Sequence, residues 1–302
     1  MLSPFKTPGA WIILSPIEQS IKQKIESIGT PLKDWDINIY RGVLTGCNEA
    51  FIISTEKRDE ILANCKSEDE RIRTAKLIRP ILRGRDIKRY GYEWAGLYLI
   101  AAHNGYERIP RVDISDYPAV KEWLDNGGIA YNGNEYAGYK QIAKRSDKGE
   151  TPYNLRNCAY MDDFSKPKIV WADLARTGNA FIYDTNGFTA PNTTYLIASN
   201  DTVRLKYLVG VLNSRTILKY LDWISAKLDE TGWRWFKQYV ETFPIPRGKI
   251  NEQSKIATLV DEVLSAKANH CESKALEIEQ EIDICVFNLY NFSDEEINFI
   301  VR

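Results

Sequence analysis

Apolar residues recur every three or four positions at Ile17, Ile21, Ile25 and Ile28, which predicts an amphipathic helix over residues 15–28. Ser15 can cap it, Pro16 fits its first turn, Glu18 completes a capping box and Gly29 is a natural stop. The segments INIYRGV (37–43) and AFIIS (50–54) read as strands, and the glycine-centred TGCNE between them predicts a hairpin or a tight corner. Residues 56–65 and 68–78 read as helices, GLYLIAA (96–102) as a buried strand ending at His103, and 116–126 as a helix stopped by Gly127 and Gly128. The stretch 127–160 is rich in Gly, Asn and Tyr and shows no period, so it is expected as a long functional loop or as irregular structure packed on a sheet.

From residue 167 the pattern turns to β, with PKIVWADLA followed by AFIYDTNGFTAPNTTYLIAS, where TNG marks a turn. Residues 201–222 read as an amphipathic helix bent near Asn213-Ser214, and WRWFKQYVETFPIP as an aromatic segment with an extended exit. Two stripes follow, Ile256-Leu259-Val260-Val263-Leu264 and Ile278-Ile282-Val286-Leu289, and they predict a helical hairpin or arm broken near 267–274. A last helix opens at Ser293, with Glu296 as the box partner and Phe292 with Ile297 as the staple. The expected class is a mixed α/β (α+β) fold, β-rich in its body, with flanking helices and a C-terminal helical hairpin or arm. The expected division is an N-terminal segment at 1–14, in part cloning-derived, a body at 15–246 and an acidic helical region at 247–302.

Charge changes this picture. The 302 residues carry 40 Lys+Arg and 41 Asp+Glu, a net of −1, but the balance is uneven. Residues 251–302 hold 4 basic and 11 acidic residues, leaving 36 and 30 in residues 1–250. Between 71 and 92 stand eight cations against Asp86 alone. Arg71, Arg73 and Lys76 are best read as a solvated helix face. Arg83, Arg85, Lys88 and Arg89 fall in LRGRDIKRYG, where Gly84 interrupts a helix, and a loop of four cations suits an anion such as nucleic-acid phosphate. Five scattered cysteines without a C-x-x-C pair suggest reduced thiols and a cytoplasmic setting, and two histidines exclude a His-rich metal site. No run of apolar residues is long enough for a membrane span.

Catalytic signatures are missing: there is no G-x-G-x-x-G, P-loop, G-x-S-x-G, H-E-x-x-H or Asn/Asp-Pro-Pro-aromatic loop. Asp162-Asp163 ahead of Lys166 and Lys168 is the nearest approach to a nuclease metal site and reads as a solvated turn. The chain alone is therefore not expected to be an enzyme, and no cofactor or metal is expected on it. What remains are polar clusters between strands. RGVLTGCNEAF places Arg41, Thr45 and Asn48 around a glycine corner; Arg and Asn can read guanine and adenine edges, while Thr45 and Asn48 may equally serve their own turn. APNTTY offers Asn192 and Thr193 with the same ambiguity, and GWRWF sets Arg234 between two tryptophans, more in keeping with packing than with recognition.

Six segments occur in order: YRGVLTGCNEAFII (40–53), IRPILRGRDIKRYGYEWAGLYLI (78–100), KPKIVWADLA (166–175), YLVGVLNSRTILKYL (207–221), FPIP (243–246) and EIDICVFNLYNFSDEEINFI (281–300). Together they resemble the TaqI-like C-terminal specificity domain, the target recognition domain of adenine-N6 DNA methyltransferases and type IIG restriction–modification enzymes, over roughly residues 11–302. The resemblance implies a domain that reads a short double-stranded DNA sequence in the major groove. It would act beside a methyltransferase or endonuclease domain, in cis or in trans, and S-adenosylmethionine would bind the methyltransferase domain. The candidate DNA contacts are Arg41, Thr45, Asn48, Arg83, Arg85, Lys88, Arg89, Asn192 and Thr193. The acidic helical end would face away from DNA. Because no methyltransferase motif is present, the chain is expected to be an excised domain or a separate subunit. Three alternatives are a specificity subunit of a type I-like complex, a protein–protein interaction module, and a cryptic nuclease using Asp162 and Asp163.

Overall fold

The computed structural model describes residues 14–176, 178–225 and 232–302. The N-terminal segment expected at 1–14 thus lies outside the described residues, apart from Leu14. Helix α1 (Pro16–Ile28) starts where its cap predicts: the Ser15 amide and hydroxyl donate to Glu18 Oε2 at 2.8 and 2.7 Å. Strand β1 (Ile39–Arg41) leads through a corner to the short helix α2 (Asn48–Phe51) and β2 (Ile52–Ser54). Helices α3 (Thr55–Ala63) and α4 (Glu68–Leu77) precede β3 (Ile78–Pro80), β4 (Leu97–Ile100) and α5 (Pro118–Asn126). Strands β5 (Lys168–Ala172), β6 (Phe181–Asp184) and β7 (Thr194–Ala198) come next. The chain then turns helical, as α6 (Thr202–Leu212), α7 (Arg215–Ile224), α8 (Ile250–Ala268), α9 (Glu272–Leu289) and α10 (Asp294–Val301).

The antiparallel sheet β6–β5–β7–β1 is the middle layer, with Val170 opposite both Ile182 and Leu196 and Leu196 opposite Tyr40. Side chains alternate across a strand, and here each face feeds a different core. Val170, Ile182 and Leu196 join Ile52, Ile78 and Leu99 from the second sheet, β2–β4–β3. Ile169, Trp171, Phe181 and Ile197 join Leu205, Leu208, Ile256, Val260 and Ile282 from the helices. Every residue of β5 is buried, which is why KIVWA reads as a continuous run and not as an alternation. Helices α8 and α9 thereby complete the same core that α1 and α6 contribute to.

The hairpin reading of 37–54 does not hold, whereas the corner reading does. β1 pairs with β7 and β2 with β4, so the two strands belong to different sheets, and Gly46 (φ 65°) sits at the corner between them. The stretch 127–160 packs against the first core, with Tyr136, Ile142 and Leu155 buried, but it is only partly irregular: residues 128–129 pair with 135–136, and Tyr139–Lys144 is a short helix that the sequence pattern did not show. The break at 213–214 is where the sequence places it. Ser214 Oγ caps α7, and Asn213 bonds both the amide and the carbonyl of Phe181 at 3.0 and 2.8 Å, stitching the break to β6. The arm is likewise broken inside 267–274, at a turn over 269–271 in which His270 takes φ 55°. Lys168 and Asp184, opposite each other in register and fully buried, form an ion pair; Lys168 Nζ also donates to Phe164 O at 2.6 Å. Burial lowers the Lys168 pKa, and the facing carboxylate opposes that fall.

Candidate nucleic-acid interface

Three segments far apart in sequence are pulled together by backbone hydrogen bonds. Gly42 N donates to Thr194 O (2.9 Å), Val43 N to Ala190 O (2.7 Å) and Leu82 N to Thr189 O (2.9 Å). A Cβ on Gly42 would overlap the Pro191 carbonyl, so only glycine allows the first of these approaches. A fourth segment joins where Asp173 N donates to Thr193 O at 2.9 Å. Between them opens a cleft of about 560 Å³. Its walls include six of the nine candidate contacts: Asn48, Arg83, Arg85, Lys88, Asn192 and Thr193. They also include Tyr131, Asp173, Leu174 and Arg176, which the sequence did not single out.

The candidates differ in what they can offer a ligand. Arg85 is exposed and has no ion pair among the described residues, and Lys88, about half exposed, has only a 3.6 Å contact with the exposed Glu93. Both are available to an anion. Arg83 instead clamps the buried Asp86 through Nε and Nη2 at 2.9 and 2.7 Å, and so fixes the turn that presents Arg85. Arg89 points the other way: its Nε lies 2.7 Å from Glu279 on α9, and Nη1 donates to Asn179 at 2.9 Å. Lys88 ends a two-residue strand (Ile87–Lys88) and Arg89 opens the turn that follows it, with Tyr90 at φ 58°, so the two side chains leave the chain in different directions. Thr45 is buried and donates to Asn48 Oδ1 at 2.6 Å, orienting the exposed Asn48 at the cleft. Arg41 donates from Nε to Asn192 O at 2.6 Å on the far side of the 190–193 loop, where a second depression of about 280 Å³ contains Arg156 and Tyr160.

Asn192 borders both depressions, and Arg156 with Asn157 borders a third that includes Lys148. The second recess therefore adjoins both the main cleft and the third. Four cations and one carboxylate, Asp173, line the main cleft. Burial raises the Asp173 pKa, and Arg41 nearby partly offsets it.

Arg145, buried under the 45–48 corner, was missed in the sequence. Its guanidinium donates to the carbonyls of Thr45, Asp147, Pro152 and Asn154 and lies 4.5 Å from the Phe51 ring centre. Burial pulls its pKa down to about 10. No sequence signal separates such an arginine from surface ones. Asp173 had a signal, because it directly follows the apolar run Ile169–Ala172, with Arg176 three residues further on. Arg71 pairs with Glu68 on an exposed helix face, as read. Asp162 accepts from Tyr106 and Asp163 from Lys166. Trp235 is buried, with its amide bonded to Asp173 O. Among the described residues no group of three His, Cys, Asp or Glu could hold a metal ion, and no helix is long and apolar enough to cross a membrane.

Comparisons with known proteins converge. Residues 79–245 match the family model of the TaqI-like C-terminal specificity domain. The chain is 25% identical over 248 residues to the type II methyltransferase M.BanIII of Aneurinibacillus aneurinilyticus, an alignment covering 80% of this chain and 40% of that protein. It superposes with a TM-score of 0.60 and 14% identity on the type IIL restriction–modification enzyme MmeI, solved in complex with DNA, covering 89% of this chain and 35% of MmeI. The chain thus spans well under half the length of either protein.

Proposed function

The chain belongs to the TaqI-like C-terminal specificity domain family, and from that premise we propose that it is the module by which a type II or IIG restriction–modification system recognises a specific double-stranded DNA sequence, with no chemistry of its own. The observation that carries this reading is the cleft itself. Four sequence-distant segments bring Arg85 and Lys88, suited to phosphate, beside Asn48, Asn192 and Thr193, suited to base edges. Phosphate contacts would position the duplex, and the neighbouring amides and hydroxyl would read it. The acidic helices α8–α10 pack on the opposite face of the central sheet from the first core, in keeping with an end directed away from DNA.

The reaction would belong to a methyltransferase or endonuclease part in cis or in trans. S-Adenosylmethionine belongs there on this reading, since a cleft lined by four cations does not suit a sulfonium. A cytoplasmic setting follows from the same assignment. A type I-like specificity subunit would carry two such recognition bodies joined by long helices.

The test is binding of the chain to random duplex pools at several salt concentrations. The parent should select a consensus, and Arg85→Ala with Lys88→Ala should weaken binding to every duplex about tenfold and flatten the log–log salt slope by about 2. Equal affinity of parent and double variant at moderate salt would overturn the phosphate assignment.

A further inference from the structure

Asp173 is out of place electrostatically. It is the sole carboxylate among the residues lining a cleft whose charged partners are Arg83, Arg85, Lys88 and Arg176. An anion there opposes the phosphates that those cations attract, and would be a net cost unless it met a donor. It forms no ion pair among the described residues; the nearby Arg41 is engaged with Asn192 O at 2.6 Å. Its position is rigid, because its amide donates to Thr193 O and its carbonyl accepts from Trp235 N, both at 2.9 Å. The half-buried carboxylate is therefore held at the cleft wall, beside Asn192 and Thr193, as a preorganised acceptor.

We infer that the Asp173 carboxylate accepts a hydrogen bond from an exocyclic amino group on a base edge, cytosine N4 or adenine N6, in the major groove of the duplex. The inference rests on the duplex-recognition reading and adds a residue to it. Those amino groups are the donors that bases expose in the major groove, and carboxylates pair with them in preference to guanine O6 or thymine O4. Burial raises the pKa of this group, with Arg41 and the amides of residues 173 and 174 offsetting it only in part. Leu174, exposed next to it, would supply apolar contact on the same edge.

The experiment is duplex selection from a random pool with the full chain, comparing parent with Asp173→Asn. The parent should restrict one position to C or to A, which also tells the two amino groups apart. If that position is C, enrichment there should fall about tenfold or more in Asp173→Asn while the other positions keep their preferences; if it is A, which asparagine can itself bond through N6 and N7, the same fall is expected in Asp173→Ala. Asp173→Ala should lose the same position and bind unrelated duplexes slightly more tightly. Identical preferences in parent and both variants would sink the inference and leave the recognition reading standing, as would an even loss at all positions, which marks a scaffold role. Failure of the parent to bind or discriminate would instead remove the recognition reading, and this inference with it. Should Asp173→Asn unfold by circular dichroism, Asp173→Glu carries the same expectation, because one added methylene displaces the acceptor.

Discussion

Lys88 and Arg89 are neighbours in the chain, yet they belong to different halves of the molecule. Lys88 stands at the cleft with only a long, solvent-exposed contact to Glu93. Arg89 is drawn to Glu279, itself shared with Lys267 at 3.6 Å. The same contrast runs through both halves. On the helical side, Lys24 meets Glu296, Lys206 meets Asp261 and Arg215 meets Asp283. On the cleft side, Arg85 has no ion pair among the described residues. A cation's role here is decided by whether the fold delivers a carboxylate to it, and the acidic C-terminal region serves in part to consume cations that face inward.

The largest effect expected from breaking this contrast lies beneath the cleft. Arg145→Met should cost about 3–5 kcal/mol, since it strips four carbonyls of their donor, those of Thr45 and Asn154 in buried bonds; chemical denaturation would measure it, and a cost below about 1 kcal/mol would show that water replaces the guanidinium. Next comes Arg89→Ala. It should lower stability by about 1–3 kcal/mol by leaving the buried Glu279 with a single distant partner, yet leave the salt slope of DNA binding unchanged. That is the inverse of the pattern expected for Arg85 and Lys88, and a slope that fell with Arg89 would erase the distinction between the two sides. The smallest effect is that of Asn48→Ala, which should change preference at one base pair by about 1 kcal/mol or more with overall affinity nearly kept, as read in the same pool selection.

Much of the architecture was legible along the chain. The caps at Ser15 and Ser293, the stops at Gly29 and Gly127, the break at Asn213-Ser214 and the two-helix arm are local events, set by hydrogen bonds within a few residues. The hairpin reading of 37–54 failed because strand pairing is non-local: Gly42 and Val43 bond to residues 190–194 and not to the strand that follows them in sequence. The candidate contacts divided for a similar reason. Sequence marked the cationic loop, but Arg83, Arg85, Lys88 and Arg89 look alike until Asp86 and Glu279 are placed beside the first and last of them.

By itself, then, the sequence determined the longer helices and the main strands, the charge asymmetry between the body and the C-terminal helices, and the ordered motifs that identify the family, but not the short helices at 48–51 and 139–144. Tertiary structure alone decided which strands share a sheet, that the central sheet is buried on both faces, and that residues 48, 83–88, 173–176 and 192–193 surround one cleft. The physical reason is range. Capping and periodicity are properties of near neighbours, whereas a cleft and its unpaired charges depend on contacts between residues more than a hundred positions apart.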